Sequence, residues 1–314
     1  MFQENSKIMK RQATIIQKEN QVYILVNNEW YMYNLAEPPL GTGAMGTVYL
    51  GRSCNNPSFK VAIKRVADQY IHIQSIRERA KLEASLLFRH SHLVEMVGFC
   101  EYAPGYGPIF IVSHLVQGIT LDKYVQENLR KRADATIRIC RSMFPVLDAL
   151  EYLHSKGIVH LDVKPSNVMV ENGCNIRLMD LGIAYTSEIL DNVHSKGMIG
   201  TPQYAAPEQC AEEQWNGARI DATTDIYEAG VTLYELLAEY NPFDAPTVSE
   251  IVNRHYQEEL PYVQGISKEL VDVLRKATAK RQVDRFQTCG EFKRALLRVL
   301  TTKPKSWWQN LLRI

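Results

Sequence analysis

From residue 22 onward, short apolar runs alternate with turn residues. Residues 22–26 are rich in β-formers, Asn27-Asn28 marks a turn, and 30–35 form a second β-prone run, so a hairpin is predicted. Between Leu40 and Lys64 the pattern reads strand, glycine-rich turn, strand at 47–51, polar turn, strand at 60–66. Ile73, Ile76, Ala80, Ala84 and Leu87 then recur at steps of three and four, which predicts one face of a helix. Further short strands are expected over 94–101 and 109–114. Beyond Gly118 the texture turns helical. Ile139, Met143, Val146, Leu150 and Leu153 mark a buried helix face that stops at Gly157. Pro145 lies inside that pattern, so the helix either kinks there or starts later than the periodicity suggests. Helices are also expected over 224–239, 269–279 and 291–300. A strand-rich first part followed by a helix-rich second part predicts an α+β architecture of two lobes, with a seam near 114–118.

Composition narrows the function classes. Lys and Arg number 36 against 35 Asp and Glu, a net charge of +1. That balance gives no reason to expect a nucleic-acid footprint or strong attraction to an anionic membrane. The six cysteines are widely spaced with no C-x-x-C pair, which argues against a zinc site or a disulfide framework and favours a reducing compartment. The first residues lack the apolar core of a signal peptide, and no apolar run approaches the roughly 18 residues of a membrane span. A cytoplasmic location is expected. The terminal SWWQNLLRI is short and apolar and reads as a docked tail, with an interfacial membrane contact as the lesser alternative.

Candidate chemistry is spread along the chain in a fixed order. Gly41-Thr42-Gly43, Gly46 and Val48 follow Leu40 between two strands, where glycines let backbone amides approach phosphate oxygens. A dinucleotide-binding fold requires a helix immediately afterwards, and the strand beginning at Thr47 excludes it. In Val61-Ala62-Ile63-Lys64, apolar neighbours bury the stem of a lysine whose charge then demands anionic partners. Glu83 and Glu78 are the candidates, with Glu83 the better match to the helix face; a surface salt bridge is the bland reading of either. His160-Leu161-Asp162-Val163-Lys164-Pro165-Ser166-Asn167 sets a carboxylate, an ammonium and an amide on one loop after Gly157. There Asp162 is suited to take a proton, Lys164 to steady a transferring phosphoryl group and Asn167 to ligate Mg²⁺, while His160 reads better as a packed structural residue. Asp180-Leu181-Gly182 follows a short apolar strand and suits a metal that bridges phosphates. Gly200-Thr201-Pro202-Gln203-Tyr204 leads into Ala206-Pro207-Glu208. Any one of these is an ordinary turn or loop by itself; all of them in this order are not.

The series resembles the eukaryotic-type, or Hanks-type, protein kinases over roughly residues 33 to 300. The resemblance implies a bilobal fold: a small antiparallel β-rich N-lobe with one major helix at about 30–114, a hinge at about 114–118, and a larger helical C-lobe at about 119–300, with ATP between them. Residues 1–29 are set apart as an N-terminal extension (a strand addition, a partner-docking arm or a disordered leader) and 301–314 as a tail. By the same resemblance, Leu40, Gly41, Thr42, Gly43, Gly46, Val48, Ala62 and Lys64 would bind the nucleotide, and Lys64 would pair with Glu83. His114 and Val116 would offer backbone groups to adenine. Asp162 would be the catalytic base, assisted by Lys164, and Asn167 and Asp180 would hold Mg²⁺, with Mn²⁺ as an alternative. Asp225 would brace the catalytic loop, and Glu208 and Arg285 would form a structural ion pair. Lys164 and the Gly200-Thr201-Pro202 run resemble the serine/threonine class, so the expected partners are ATP and proteins bearing Ser or Thr hydroxyls. A regulatory partner or self-association is left open.

Three departures matter. Leu161 stands where an arginine usually precedes the catalytic aspartate, so a phosphate on the activation segment would find no guanidinium there. Activity independent of phosphorylation at Thr186, Ser187 or Ser195 is therefore expected. Leu181 replaces the usual phenylalanine, a hydrophobic swap. The stretch from Glu83 to Val94 is short, which weakens the tie of Glu83 to Lys64. Ser113 is a small residue where many relatives have a bulky one, which predicts an accessible pocket behind the adenine. Two other functions fit less well. A pseudokinase scaffold is disfavoured by the presence of Lys64, Asp162, Asn167 and Asp180, and a small-molecule kinase by the 201–208 segment.

Overall fold

The computed structural model describes residues 14–43, 46–74, 77–78, 81, 88–102, 107–180, 185–186, 200–210 and 219–301. The chain divides into two compact units, one of residues 1–88 and 95–115, the other of 89–94 and 116–314. Glu83, Leu181, Gly182, Ser187, Ser195, most of the helix expected over 73–87 and the tail beyond 301 lie outside the described residues.

The first unit is built on one antiparallel sheet of eight strands. These are β1 (Ile15–Lys18), β2 (Gln21–Val26), β3 (Glu29–Asn34), β4 (Gly41–Gly43), β5 (Gly46–Ser53), β6 (Lys60–Val66), β7 (Met96–Glu101) and β8 (Ile109–His114). They are ordered β1-β2-β3-β5-β6-β8-β7, with β4 paired to β5. The expected hairpin is present, with Val26 opposite Glu29 across the Asn27-Asn28 turn. Both turn residues have positive φ (49° and 65°), which asparagine tolerates better than most side chains. Over residues 14–29 the extension is a strand addition: β1 and β2 continue the same sheet past the boundary expected at residue 30.

The sheet curls until its ends approach. Thr14 Oγ1 donates to the Glu101 carbonyl (3.2 Å) and Asn27 Nδ2 to the Val97 carbonyl (2.7 Å). Val22, Ile24, Val26, Tyr31, Tyr33, Val61, Ile63, Cys100, Phe110 and Val112 fill the enclosed face. Each such aliphatic or aromatic side chain contributes about 1.5–3 kcal/mol by burial. Strand alternation turns Val48, Leu50, Ala62, Lys64, Ile111 and Ser113 to the opposite face, as the pairs Val48↔Lys64, Ala62↔Ser113 and Lys64↔Ile111 require.

The second unit is mainly helical. A short helix α1 (Leu121–Tyr124) runs into a wider turn at Val125–Leu129, and is followed by α2 (Ala135–Ser142) and α3 (Phe144–His154). Pro145 occupies the first turn of α3, where its missing N–H costs nothing. The proline therefore starts a new helix after Met143 rather than kinking a continuous one. The later helices are α4 (Pro207–Cys210), α5 (Ala222–Ala238), α6 (Val248–Gln257), α7 (Lys268–Ala277) and α8 (Cys289–Thr301). Helix α5 opens with a capping box between Asp221 and Thr224 and is buried along nearly its whole length. It packs against α2, α3 and α7.

Short strands also occur within the helix-rich part, and of these only the one ending just before Asp180 was expected from the sequence. β9 (Gly118–Thr120), β11 (Val168–Glu171) and β12 (Asn175–Leu178) form a sheet in the order β12-β11-β9. β10 (Ile158–Val159) pairs with β13 (Tyr185–Thr186). Most of these strands are too short to display a period of two. None of the six cysteines is in a disulfide. Among the described residues, no helix is long and apolar enough to cross a membrane.

Candidate active site

The loop between β10 and β11 carries Asp162, Lys164 and Asn167, and the structure brings all three together. Lys164 Nζ lies 2.7 Å from Asp162 Oδ2. Asn167 Nδ2 donates to Asp162 Oδ2 (2.8 Å) and to the Asp162 carbonyl (2.9 Å). Thr201, which the sequence marked only as part of the Gly200-Thr201-Pro202 run, completes a ring. Its hydroxyl donates to Asp162 Oδ1 (2.6 Å) and accepts from Lys164 Nζ (2.6 Å). A carboxylate has about four lone-pair positions; among the described residues these three side chains occupy three, which leaves one for an incoming donor. Asp162 is 6% exposed, open enough to meet a substrate and enclosed enough to be held.

The loop backbone is fixed from beneath by α5. Asp225, fully buried, accepts from the backbone N–H of His160 (2.9 Å) and of Leu161 (2.9 Å), and pairs with His154 Nε2 at 2.7 Å. Glu228 accepts from the Val163 N–H (2.8 Å), and Thr232 donates to the Val163 carbonyl (2.8 Å). Burial pushes the Glu228 carboxyl well above the usual carboxylate range, and the neighbouring charges of Asp225 and Asp162 push the same way. Leu161 sits at φ 66°, a left-handed conformation costing a β-bearing residue about 1–2 kcal/mol, and its bonds to α5 maintain it. His160 is buried and its Nε2 donates to the Met179 carbonyl at 3.0 Å, the packed role expected of it.

Thr232 and Glu228 went unnoticed in the sequence, although a signal was there. Asp225, Glu228 and Thr232 recur at steps of three and four on a helix buried along nearly its whole length. Buried polar groups at helical spacing imply polar partners.

Asp180 follows β12 with φ 60°, and the Met179 N–H donates to the Asn167 carbonyl at 2.8 Å, tying the two candidate metal-bearing positions together. With Nδ2 committed to Asp162, the Asn167 amide has its oxygen to offer. An amide oxygen and a carboxylate form a hard donor set suited to Mg²⁺ or Mn²⁺, ions that take few protein ligands when phosphates supply the rest. Further along the same unit, Arg285 and Glu208 form a fully buried two-pronged ion pair (2.7 and 2.8 Å). Removing one partner of such a pair costs about 3–5 kcal/mol.

In the first unit, the candidate nucleotide residues Val48, Ala62 and Lys64 share one face of the sheet with Ser113. Leu40 and the β4 strand Gly41-Thr42-Gly43 are exposed. The three glycines differ. A Cβ at Gly41 or Gly43 would meet nothing within 4 Å, whereas one at Gly46 (φ 150°) would lie 2.1 Å from the Arg65 carbonyl oxygen. Of these three, packing demands glycine only at Gly46. His114 spends its backbone N–H on the Glu95 carbonyl (2.9 Å), so its carbonyl is the group it retains for a ligand. Val116 is where the chain returns to the second unit. Glu78 accepts from Gln74 Nε2 (2.8 Å), and buried Arg77 reaches Glu101 (2.6 Å).

Comparison with known proteins gives a consistent result. The family model described as "Protein kinase domain" matches residues 35–296. A probable serine/threonine-protein kinase PknB of Lactococcus lactis is 31% identical over 256 residues, covering 80% of this chain and 39% of the relative. The serine/threonine-protein kinase PknB of Mycobacterium tuberculosis is 31% identical over 281 residues, 87% of this chain and 43% of that protein. PrkC of Bacillus subtilis, also a serine/threonine-protein kinase, is 29% identical over 260 residues, 80% and 38% of the two chains. The chain thus matches less than half the length of each of these relatives. A family match spanning the glycine-rich strands, Lys64, the Asp162 ring and the buried Glu208–Arg285 pair makes the chain a member of the protein kinase domain family.

Proposed function

We propose that the chain is a serine/threonine protein kinase that transfers the γ-phosphate of ATP to Ser or Thr hydroxyls of proteins, with Mg²⁺ as the working metal. Family membership itself implies ATP and a divalent metal ion. The observation that carries the reading is the Asp162–Lys164–Thr201–Asn167 ring, which orients a carboxylate and keeps one of its acceptor positions available.

Asp162 orients the substrate hydroxyl and takes its proton as the hydroxyl oxygen bonds to the γ-phosphorus; the bond from that phosphorus to the β,γ-bridging oxygen breaks and ADP leaves. Lys164 carries positive charge to the transferring group while holding Asp162. Asn167 and Asp180 would hold the metal, which when bound offsets phosphate charge. Lys64 would bind the α and β phosphates with Glu83 as its partner, and Gly41, Thr42, Gly43 and Gly46 would present amides to phosphate oxygens. Leu40, Val48 and Ala62 would pack against adenine, with His114 and Val116 as its backbone partners.

The test is transfer from γ-labelled ATP to a generic basic protein, in Mg²⁺ and separately in Mn²⁺, followed by phospho-residue analysis. Label is expected on serine or threonine, and Asp162→Asn is expected to reduce the rate by about 10²–10⁴-fold. A folded wild type that binds ATP yet labels no protein under either metal would refute the proposal.

A further inference from the structure

Glu228 lies between Asp225 and Thr232 on α5 and differs from both. Asp225 joins the loop backbone to His154 on α3 and Thr232 reaches only the Val163 carbonyl, whereas Glu228 joins the loop to the 206–209 segment. Its Oε2 accepts from the N–H of Val163, the residue directly after Asp162, at 2.8 Å. Its Oε1 accepts from Gln209 Nε2 at 2.9 Å. Gln209, 2% exposed, in turn accepts the Ala206 N–H on its Oε1 (2.6 Å) and reaches the Leu161 carbonyl with Nε2 (3.3 Å). The two side chains therefore connect the 206–209 segment to the backbone on both sides of Asp162.

Gly200 packs on the same point. Its φ is 91°, and a Cβ there would lie 2.6 Å from the Leu161 carbonyl oxygen and 3.1 Å from Gln209 Nε2. The chain leaves this contact directly into Thr201, whose hydroxyl closes the ring on Asp162. Both ends of the 200–209 stretch are thus anchored beside one residue pair. Stability alone does not call for an acid here, because a well-packed apolar side chain in a helix core avoids the desolvation that a buried carboxyl suffers. What an apolar residue cannot do is accept from Val163 and Gln209 together.

We propose that Glu228 and Gln209 are a positioning pair that holds Asp162 and Thr201 in register by means of the chain's own atoms, with no added phosphate. The inference rests on the kinase reading above. It supplies a physical reason for activity without a guanidinium at Leu161, since the link that an arginine and a phosphate would otherwise make is already built.

The experiment compares the full chain, before and after phosphatase treatment, with Glu228→Ala, Gln209→Ala, the double variant and Glu228→Gln. Melting curves establish the folded fraction, and kcat and the KM for ATP are measured on it. Each alanine variant is expected to lose about tenfold in kcat with KM for ATP changed by no more than about twofold. The double variant should be no slower than the slower single, because both changes break one link. Glu228→Gln, which keeps an oxygen for Val163, should recover part of the loss, and phosphatase treatment should leave wild-type kcat unchanged. Folded alanine variants with wild-type kcat, losses that multiply in the double variant, or wild-type activity lost on phosphatase treatment would each overturn the proposal. If Glu228→Ala does not fold, Gln209→Ala decides: an unchanged kcat there ends it. A wild type that transfers no phosphate ends the kinase reading as well, whereas an active wild type with indifferent variants ends this inference alone.

Discussion

The loop at 160–167 and the glycine-rich strands at 41–48 both carry motifs of the family, and the protein treats them in opposite ways. In the loop, Asp162 has three side-chain partners and its backbone neighbours are bonded to α5. In the strands, Gly41 and Gly43 are exposed and have no heavy atom near the position of a Cβ. Groups that must meet a developing charge are oriented in advance, because reorganising them during the reaction would add to the barrier. On the proposed function the strands would cover phosphates, a task that few contacts and small residues would suit.

The comparison can be broken at its strongest point by Asp225→Ala. Two backbone donors and His154 lose their acceptor, so a stability loss of about 3–5 kcal/mol is expected in denaturant titration, with kcat falling in parallel. A loss under about 1 kcal/mol would mean that the loop is not held from α5. Gly46→Ala tests the exception within the strands. Its collision with the Arg65 carbonyl and its positive φ predict a loss of roughly 2–3 kcal/mol in melting experiments. Thr201→Val should separate activity from stability: kcat lower by about tenfold or more, stability changed by about 1 kcal/mol. The smallest effect belongs to Gly41→Ala. Stability should stay within about 0.5 kcal/mol, and any change should appear in the KM for ATP. A Gly41→Ala chain as destabilised as Asp225→Ala would erase the distinction.

Legibility in the sequence followed the range over which each interaction acts. The β2–β3 hairpin was readable because Asn27-Asn28 sits between two β-prone runs, all within about a dozen residues. Helices α5, α7 and α8 were readable from their apolar spacing, and the Asp162 loop because its groups are contiguous. β1 was missed, since its four residues are mostly exposed and are recognisable as a strand only by their pairing with β2. Helix α6 was missed too; only Ile251 and His255 among its residues are buried, which leaves little periodicity to detect. Pro145 left two readings open, and the packing of α2 and α3 as separate helices chose between them.

By itself the sequence determined the family, the lobe-like order of strands before helices, and the chemical groups available for phosphoryl transfer. Those are carried by local periodicity and by short motifs whose members are covalent near neighbours. Tertiary structure alone decided that Thr201 closes on Asp162 from 39 positions away, that Glu228 meets Val163 across 65, and that residues 14–29 join the sheet and curl back toward β7. These contacts depend on which buried polar groups find partners once the chain has collapsed, and nothing in a local stretch of sequence specifies the distant half of such a pair.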